Sequence, residues 1–354
     1  MIWVDQTLQE GLRVGMDIGQ INPLIQLLQK LQVGVIDCKV IDWEKHGLPK
    51  LSLSQQKHIR GKINSTLEEV TLADKLGFKN VILACTPHLG QGLTSEVCEA
   101  LFTAQQLGMN IGFCIEDASR FSIEEICFLW KDIPIDGVDS FIYGDKDSLL
   151  DPVATSRILA SLLNKIPACL EFHGHNAYGL ATGNALAASQ VGVKRIAAAV
   201  VGIGLHGHAA VEELIMAQKR LLGQVTNETQ HLALICSQIV SVMGLALPGT
   251  KAIIGQDIFA HESGIHVDGV IKNPQMYEAF SPEEVGLSRK LVIGKHSGTA
   301  SIKAKFRQWN TCMSIADAQI LLKKVRKLAV KQKKQVDDQA LWALYQAAQV
   351  RQEG

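Results

Sequence analysis

The stretch LEFHGHNAYG, residues 170–179, carries Glu171, His173 and His175 within five positions. Both histidines stand two apart at the end of an apolar run, so in an extended strand their imidazoles leave on the same side of the backbone. Two such rings can grip one divalent ion. Glu10, in VDQTLQEG near the start of the chain, can add a carboxylate oxygen if the first and seventh strands end at the same mouth. Two nitrogens and one oxygen with open positions suit Zn, Mn, Fe or Co and leave room for a chelating substrate. A His-x-His pair alone is equally what two solvated strand-end histidines look like.

Other polar residues fall where apolar runs end: Asp5, Gln9 and Arg13 after the first, Glu116 and Asp117 after the fifth, Asp145 and Lys146 after the sixth. At the C-terminal ends of barrel strands such residues read as catalytic or substrate-facing. Each also has a local reading, with EDASR as a helix N-cap and Asp145 or Asp151 as an Asx turn. The segment AHESGIHVDG holds His261 and His266, suited to proton transfer near neutral pH. GKHSG, residues 294–298, reads as a site or as a tight turn.

Positioning these groups requires a repeating frame. Eight short apolar runs, at residues 2–5, 35–40, 58–63, 80–85, 111–116, 137–143, 168–173 and 195–201, alternate with amphipathic helical patterns. That order predicts a (β/α)8 TIM barrel of α/β class. The crossover from the second run to the third, DWEKHGLPKLSLSQQK, has a proline and little room for a helix, which leaves either a weak crossover or a misplaced third strand. We place the domain boundary near residue 225, with a barrel over 1–225 and a lid and mostly helical extension over 226–354. The lysine-rich run at 323–334 interleaves with apolar residues at helical spacing, as a solvated helix face does.

The chain has 354 residues, 47% of them hydrophobic, with 35 basic against 35 acidic side chains. That balance offers nothing to nucleic acid. Eight cysteines lie scattered without a Cys-x-x-Cys pair. Together with the absence of a signal-like start or a membrane-length apolar stretch, this points to a cytoplasmic protein with reduced thiols, off the membrane.

VDQTLQEG, GFCIEDASR, LEFHGHNAYGLATGNALAA and AHESGIHVDGVIKNPQMYEAFSPEEVGLSRKLVIGKHSG together resemble homocitrate synthases, especially the nitrogen-fixation type, of the α-isopropylmalate/homocitrate synthase family. The resemblance spans nearly the whole chain. Isopropylmalate synthases usually add a long regulatory domain, for which the segment after GKHSG has no room. The resemblance implies an acyltransferase that condenses acetyl-CoA with a 2-oxo acid, 2-oxoglutarate in the homocitrate case. By motif, Glu10, His173 and His175 would bind the divalent metal (Zn, Mn, Mg, Fe or Co), which polarises the keto group. His266, helped by Glu116 or Asp117, would take the acetyl proton, and Gln9, Arg13, Lys146 and Glu171 would face substrate. Family members are dimers, so the expected assembly is a homodimer, or a heteromer with a homologue, with His266 acting in trans.

The departures are specific. Where the family reads Asp-x-Thr-Leu-Arg-(Asp/Glu)-Gly-Glu-Gln, this chain has Gln9 in place of the arginine that steadies charge on the keto oxygen. Losing one such contact typically costs ~3 kcal/mol of transition-state stabilisation; Arg13, one turn away, is a potential substitute. Lys146 stands where the family has a carboxylate-binding threonine, and Ala177 follows Asn176 where Asn-Asp is usual. The loop after strand eight reads VGIGLHGHAA, lacking the family's Glu, Arg and Asn and adding His206 and His208. This new pair reads as surrogate ligands or as part of a solvent-facing loop, and we expect the latter. Three functions fit: a homocitrate synthase with a rebuilt substrate shell, a related acyltransferase for another 2-oxo acid, or a catalytically weak subunit partnering an active homologue.

Overall fold

The structure, a computed structural model, describes residues 1–88, 92–133, 137–224, 228–262, 269–270 and 272–349. Its first 200 residues build β1 (Ile2–Asp5), β2 (Val35–Lys39), β3 (Ile59–Asn64), β4 (Asn80–Cys85), β5 (Asn110–Ile115), β6 (Val138–Asp145), β7 (Cys169–Gly174) and β8 (Arg195–Ala198). These strands pair in sequence order, all parallel, and β8 closes on β1 with Ile2 opposite Arg195 and Asp5 opposite Ala198. The predicted (β/α)8 barrel is therefore the fold.

The helices that cover it are α1 (Thr7–Arg13), α2 (Ile18–Lys30), α3 (Val40–Lys45), α4 (Leu67–Lys75), α5 (Ser95–Gln106), α6 (Ile123–Lys131), α7 (Pro152–Leu163), α8 (Ala181–Gln190) and α9 (Val211–Arg220). Their starts are written locally. Thr66, Thr94 and Asp151 accept from backbone amides three residues on, and Ser122 with Glu125 forms a capping box. Their apolar faces pack onto the barrel: Trp43 of α3 packs edge-on against Phe78, just before β4, at 5.9 Å, and Trp130 of α6 against Phe141 of β6 at 5.5 Å.

The crossover after β2 keeps the third strand, and the end of strand eight is corrected. The third strand stands, at Ile59–Asn64, because the six-residue helix α3 begins directly at the end of β2. Pro49 then leaves the helical path, its carbonyl accepting from Trp43 Nε1 at 3.0 Å. Strand eight ends at Ala198 rather than 201, since residues 200–202 turn back as a 3-10 helix with Val201 at φ 53°.

The chain divides into two compact units: residues 1–227 with 234–247, and residues 228–233 with 248–354. Helix α10 (Leu232–Val242) lies mostly in the first. The second contains a short parallel pair, β9 (Ala260–His261) with β10 (Lys290–Leu291), and helices α11 (Thr299–Gln308), α12 (Ile315–Gln332) and α13 (Asp338–Gln349). Phe306, Leu321, Val325 and Leu341 are its core, and Phe306 stacks on Trp342 at 5.8 Å. The lysine-rich run is the outer face of α12, whose Leu321, Leu322, Val325 and Ala329 are buried. GKHSG is the tight turn that leads into α11, with Gly294 N donating to Ser297 Oγ at 2.9 Å. No helix among the described residues is long and apolar enough to cross a membrane.

Candidate active site

Side chains alternate between the two faces of a strand, and on β2, β3 and β7 the inward positions carry ionisable groups: Asp37 and Lys39, Arg60 and Lys62, Glu171 and His173. A barrel interior is normally filled by branched aliphatic residues. Here Ile82, Ala84, Cys114 and Ile142 fill only the β4 to β6 side.

The deepest charged layer is a closed network. Arg60 donates through Nε and Nη2 to Asp37 (2.8 and 3.1 Å) and through Nη1 and Nη2 to Glu171 (2.9 and 2.5 Å). All three side chains are almost fully buried. Glu171 Oε1 also accepts from His173 Nε2 at 2.6 Å. Burial opposes the charge on Glu171, but the Arg60 guanidinium and His173 outweigh it and hold the carboxyl well below the usual range. Among the described residues, Asp37, Glu171 and His173 are the set whose donor atoms approach as closely as metal ligands. Their carboxylates already neutralise Arg60, so an added dication would face that guanidinium at contact distance. We do not read this layer as a metal seat.

Above it, at the C-terminal ends of the strands, opens a cavity of about 410 Å³. Most of the residues singled out in the sequence line it: Gln9, Glu10, Arg13, Glu116, Lys146, His173 and His175, joined by Lys39, Lys62, His206 and His208. Glu171 lies below the floor, with both oxygens engaged by Arg60 and His173. Asp117 is outside the lining set, and its carboxyl is pushed up by burial. His266 lies outside the described residues. His261, in the second unit, has its Nε2 3.6 Å from Glu278.

On one side of the cavity Glu116 is held between two cations, Lys62 Nζ at 2.7 Å and Lys146 Nζ at 3.2 Å. Burial raises its pKa, yet the two ammonium groups prevail and hold it at about 2. Gly144 makes this pairing possible, because a Cβ there would lie 2.5 Å from the Glu116 carbonyl oxygen. On the other side stand Glu10, His175 and His208. Arg13 Nε donates to Glu10 Oε2 at 2.7 Å, and His208 Nε2 lies 3.7 Å from Glu10 Oε1. His208 and Arg13 outweigh burial and hold Glu10 at about 2. Burial first, then the neighbouring His208 and Lys62, push His175 down to about 3, so it is neutral at pH 7 with its buried Nδ1 unpartnered.

The loop after β8 is not the solvent-facing element expected from sequence. His206 is exposed, but His208 is 5% exposed and forms a β-bridge with His175 that folds the loop onto the end of β7. Gln9 is also buried, with its amide nitrogen 3.5 Å from Gln6 Oε1. Arg13 is committed to Glu10 rather than standing free in the place of the missing arginine. Sequence reasoning missed Asp37, Arg60, Lys62 and Lys39. The signal was present as polar residues at i and i+2 in VIDCKV and HIRGKI.

Residues 91–239 match the family described as HMGL-like, and residues 253–333 match the family described as homocitrate synthase post-HMGL domain-like. The chain is 37% identical over 258 residues to 2-isopropylmalate synthase 2 of Caldanaerobacter subterraneus, covering 72% of this chain and 67% of that protein. It is 38% identical over 207 residues to homocitrate synthase 1 of a Nostoc species, covering 58% of this chain and 55% of that protein. The matches thus span between about half and two thirds of these relatives' lengths. Among solved structures, hydroxymethylglutaryl-CoA lyase from Pseudomonas aeruginosa superposes with a TM-score of 0.54 at 15% identity, over 69% of this chain and 93% of that one. That likeness concerns the fold.

Proposed function

This chain belongs to the family of homocitrate and isopropylmalate synthases, and from that membership we propose that it condenses acetyl-CoA with a 2-oxo acid, 2-oxoglutarate to give homocitrate. The observation that carries the reading is the two-sided cavity: a carboxylate and imidazole cluster faces a set of cations over about 410 Å³. Lys39, Lys62, Lys146 and Arg13 outnumber Glu10, Glu69 and Glu116 in its wall. A dicarboxylic oxo acid brings a second negative charge to that excess of cations, which an oxo acid with an aliphatic tail does not.

Glu10 and His175 fit a divalent ion. Glu10 is ionised, His175 is neutral, and the orphaned Nδ1 of His175 is the kind of buried donor atom a ligand satisfies. His173 lines the same cavity, with its Nε2 turned to Glu171. When bound, such an ion supplies Lewis acidity to the keto group. The remaining steps fall to this chain and its substrates. A base, His266 in this reading, takes a proton from the acetyl methyl. The enolate carbon bonds to the keto carbon, whose oxygen gains a proton. Water then cleaves the thioester and releases CoA as free thiol. Lys62 and Lys146 hold the distal carboxylate beside Glu116. Asp117, with its raised pKa, is better matched to passing protons than Glu116. The dimeric assembly of the family is part of the same proposal.

Gln9 favours a second reading, an acyltransferase of the same family for a different 2-oxo acid, because the cation nearest the keto oxygen is gone. Purified protein with a divalent metal, acetyl-CoA and a panel of 2-oxo acids, followed by free-thiol release, decides between them. Release with 2-oxoglutarate supports the first reading and release with another acid supports the second. Silence across the panel contradicts both and leaves the partner-subunit role.

A further inference from the structure

His208 has no counterpart in the residues the family resemblance assigns to the ion, yet it is the imidazole closest to Glu10. Its Nε2 lies 3.7 Å from Glu10 Oε1, and its ring centroid is 4.9 Å from that of His175. Two donors on one tetrahedral ion, each at ~2.1 Å, stand roughly 3.4 Å apart. A shift of a few tenths of an ångström would therefore let Glu10 and His208 share one.

The backbone is built for this approach. His208 N donates to Gly202 O at 3.1 Å and Asn176 N donates to His206 O at 3.0 Å, which pins the loop across the end of β7. Gly204, at φ 146°, passes so close that a Cβ would stand 2.8 Å from His208 Cδ2, 3.0 Å from its Nε2 and 3.4 Å from Glu10 Cδ. Any side chain there would occupy the space between imidazole and carboxylate. His175 lines the same pocket, and its buried Nδ1 has no hydrogen-bond partner. The other imidazole of the HGH pair, His173, has its Nε2 engaged at 2.6 Å by a carboxylate that Arg60 anchors.

We propose that His208 is a ligand of the divalent ion in this chain, sharing it with Glu10 and His175. This rests on the metal-dependent reading above. The β8 loop, having lost the polar residues usual in the family, contributes an imidazole instead, and a nitrogen donor in that position favours Zn or Co over Mg.

The test is Co(II) binding to the full chain after chelator treatment, read by visible absorption and by calorimetry. Wild type is expected to bind one ion. His208→Phe keeps the ring volume without a donor and should weaken binding at least tenfold, and His58→Asn, at an exposed imidazole just before β3 and outside the cavity, should change it less than about twofold. His208→Ala should regain Co(II) binding when free imidazole is added, a rescue that a purely structural role would not give. Circular dichroism identifies variants that have not folded. Failure of wild type to take up an ion would overturn the metal-dependent reading and this inference with it. One bound ion in wild type, held as tightly in both His208 variants or left unrescued by imidazole in His208→Ala, would overturn this inference alone.

Discussion

Asp5 shows how far burial can move one group. It is 1% exposed at the end of β1, and burial outweighs hydrogen bonds from Thr7 and Leu8 to raise its pKa to about 7. A carboxyl with a raised folded pKa contributes stability that is present below its unfolded pKa and lost as pH rises towards 7. Asp5→Asn should therefore stabilise the protein at pH 8 by ~2 kcal/mol, with the gain vanishing by pH 4, as read from urea midpoints. Glu10 and Glu116 behave oppositely. Both are held at about 2, so the stability they contribute is present above pH 4.5 and is lost as pH falls from there towards 2. Exposure to solvent discounts the Glu116 share.

At the scale of elements, β3 stands between the charged layer and the cavity, with Arg60 below and Lys62 above. Arg60→Met would leave Asp37 and Glu171 as buried unpaired carboxylates, and should cost about 3–5 kcal/mol at pH 7. Burial works against the charge on Glu171, and Arg60 is the main group, with His173, that holds it below its usual range. The deficit should accordingly shrink as pH falls and the two buried carboxylates take up protons, as urea titrations at several pH values would show. Gly144→Ala, where β6 passes the Glu116 carbonyl, should destabilise by ~1–3 kcal/mol through a forced backbone shift, measurable as a lower melting temperature. The barrel itself was legible because short apolar runs alternating with amphipathic helical patterns are local signals. The Asp37 to Glu171 layer was not legible, since it depends on which strands become neighbours across a closed sheet. Nor was the burial of His208, which follows from a loop folding back by a single bridge to His175. A run of Gly and His residues in sequence looks solvated until its backbone partner is known.

For the whole molecule, the account joins a barrel whose mouth holds both ion-binding and anion-binding groups to a second unit that carries the family's post-barrel segment. If the family's dimer extends to this chain, light scattering on the purified protein should give twice 38.6 kDa, and a monomer at micromolar concentration would remove that part of the proposal. The central claim is carbon-carbon bond formation between an acetyl methyl and a keto carbon. The most direct measurement is NMR of the products from acetyl-CoA labelled with 13C in both acetyl carbons, incubated with 2-oxoglutarate and a divalent metal. The account predicts label in a methylene and carboxylate next to a new tertiary alcohol, formed in step with free thiol. Label that stays in acetyl-CoA, or leaves only as acetate, would contradict it.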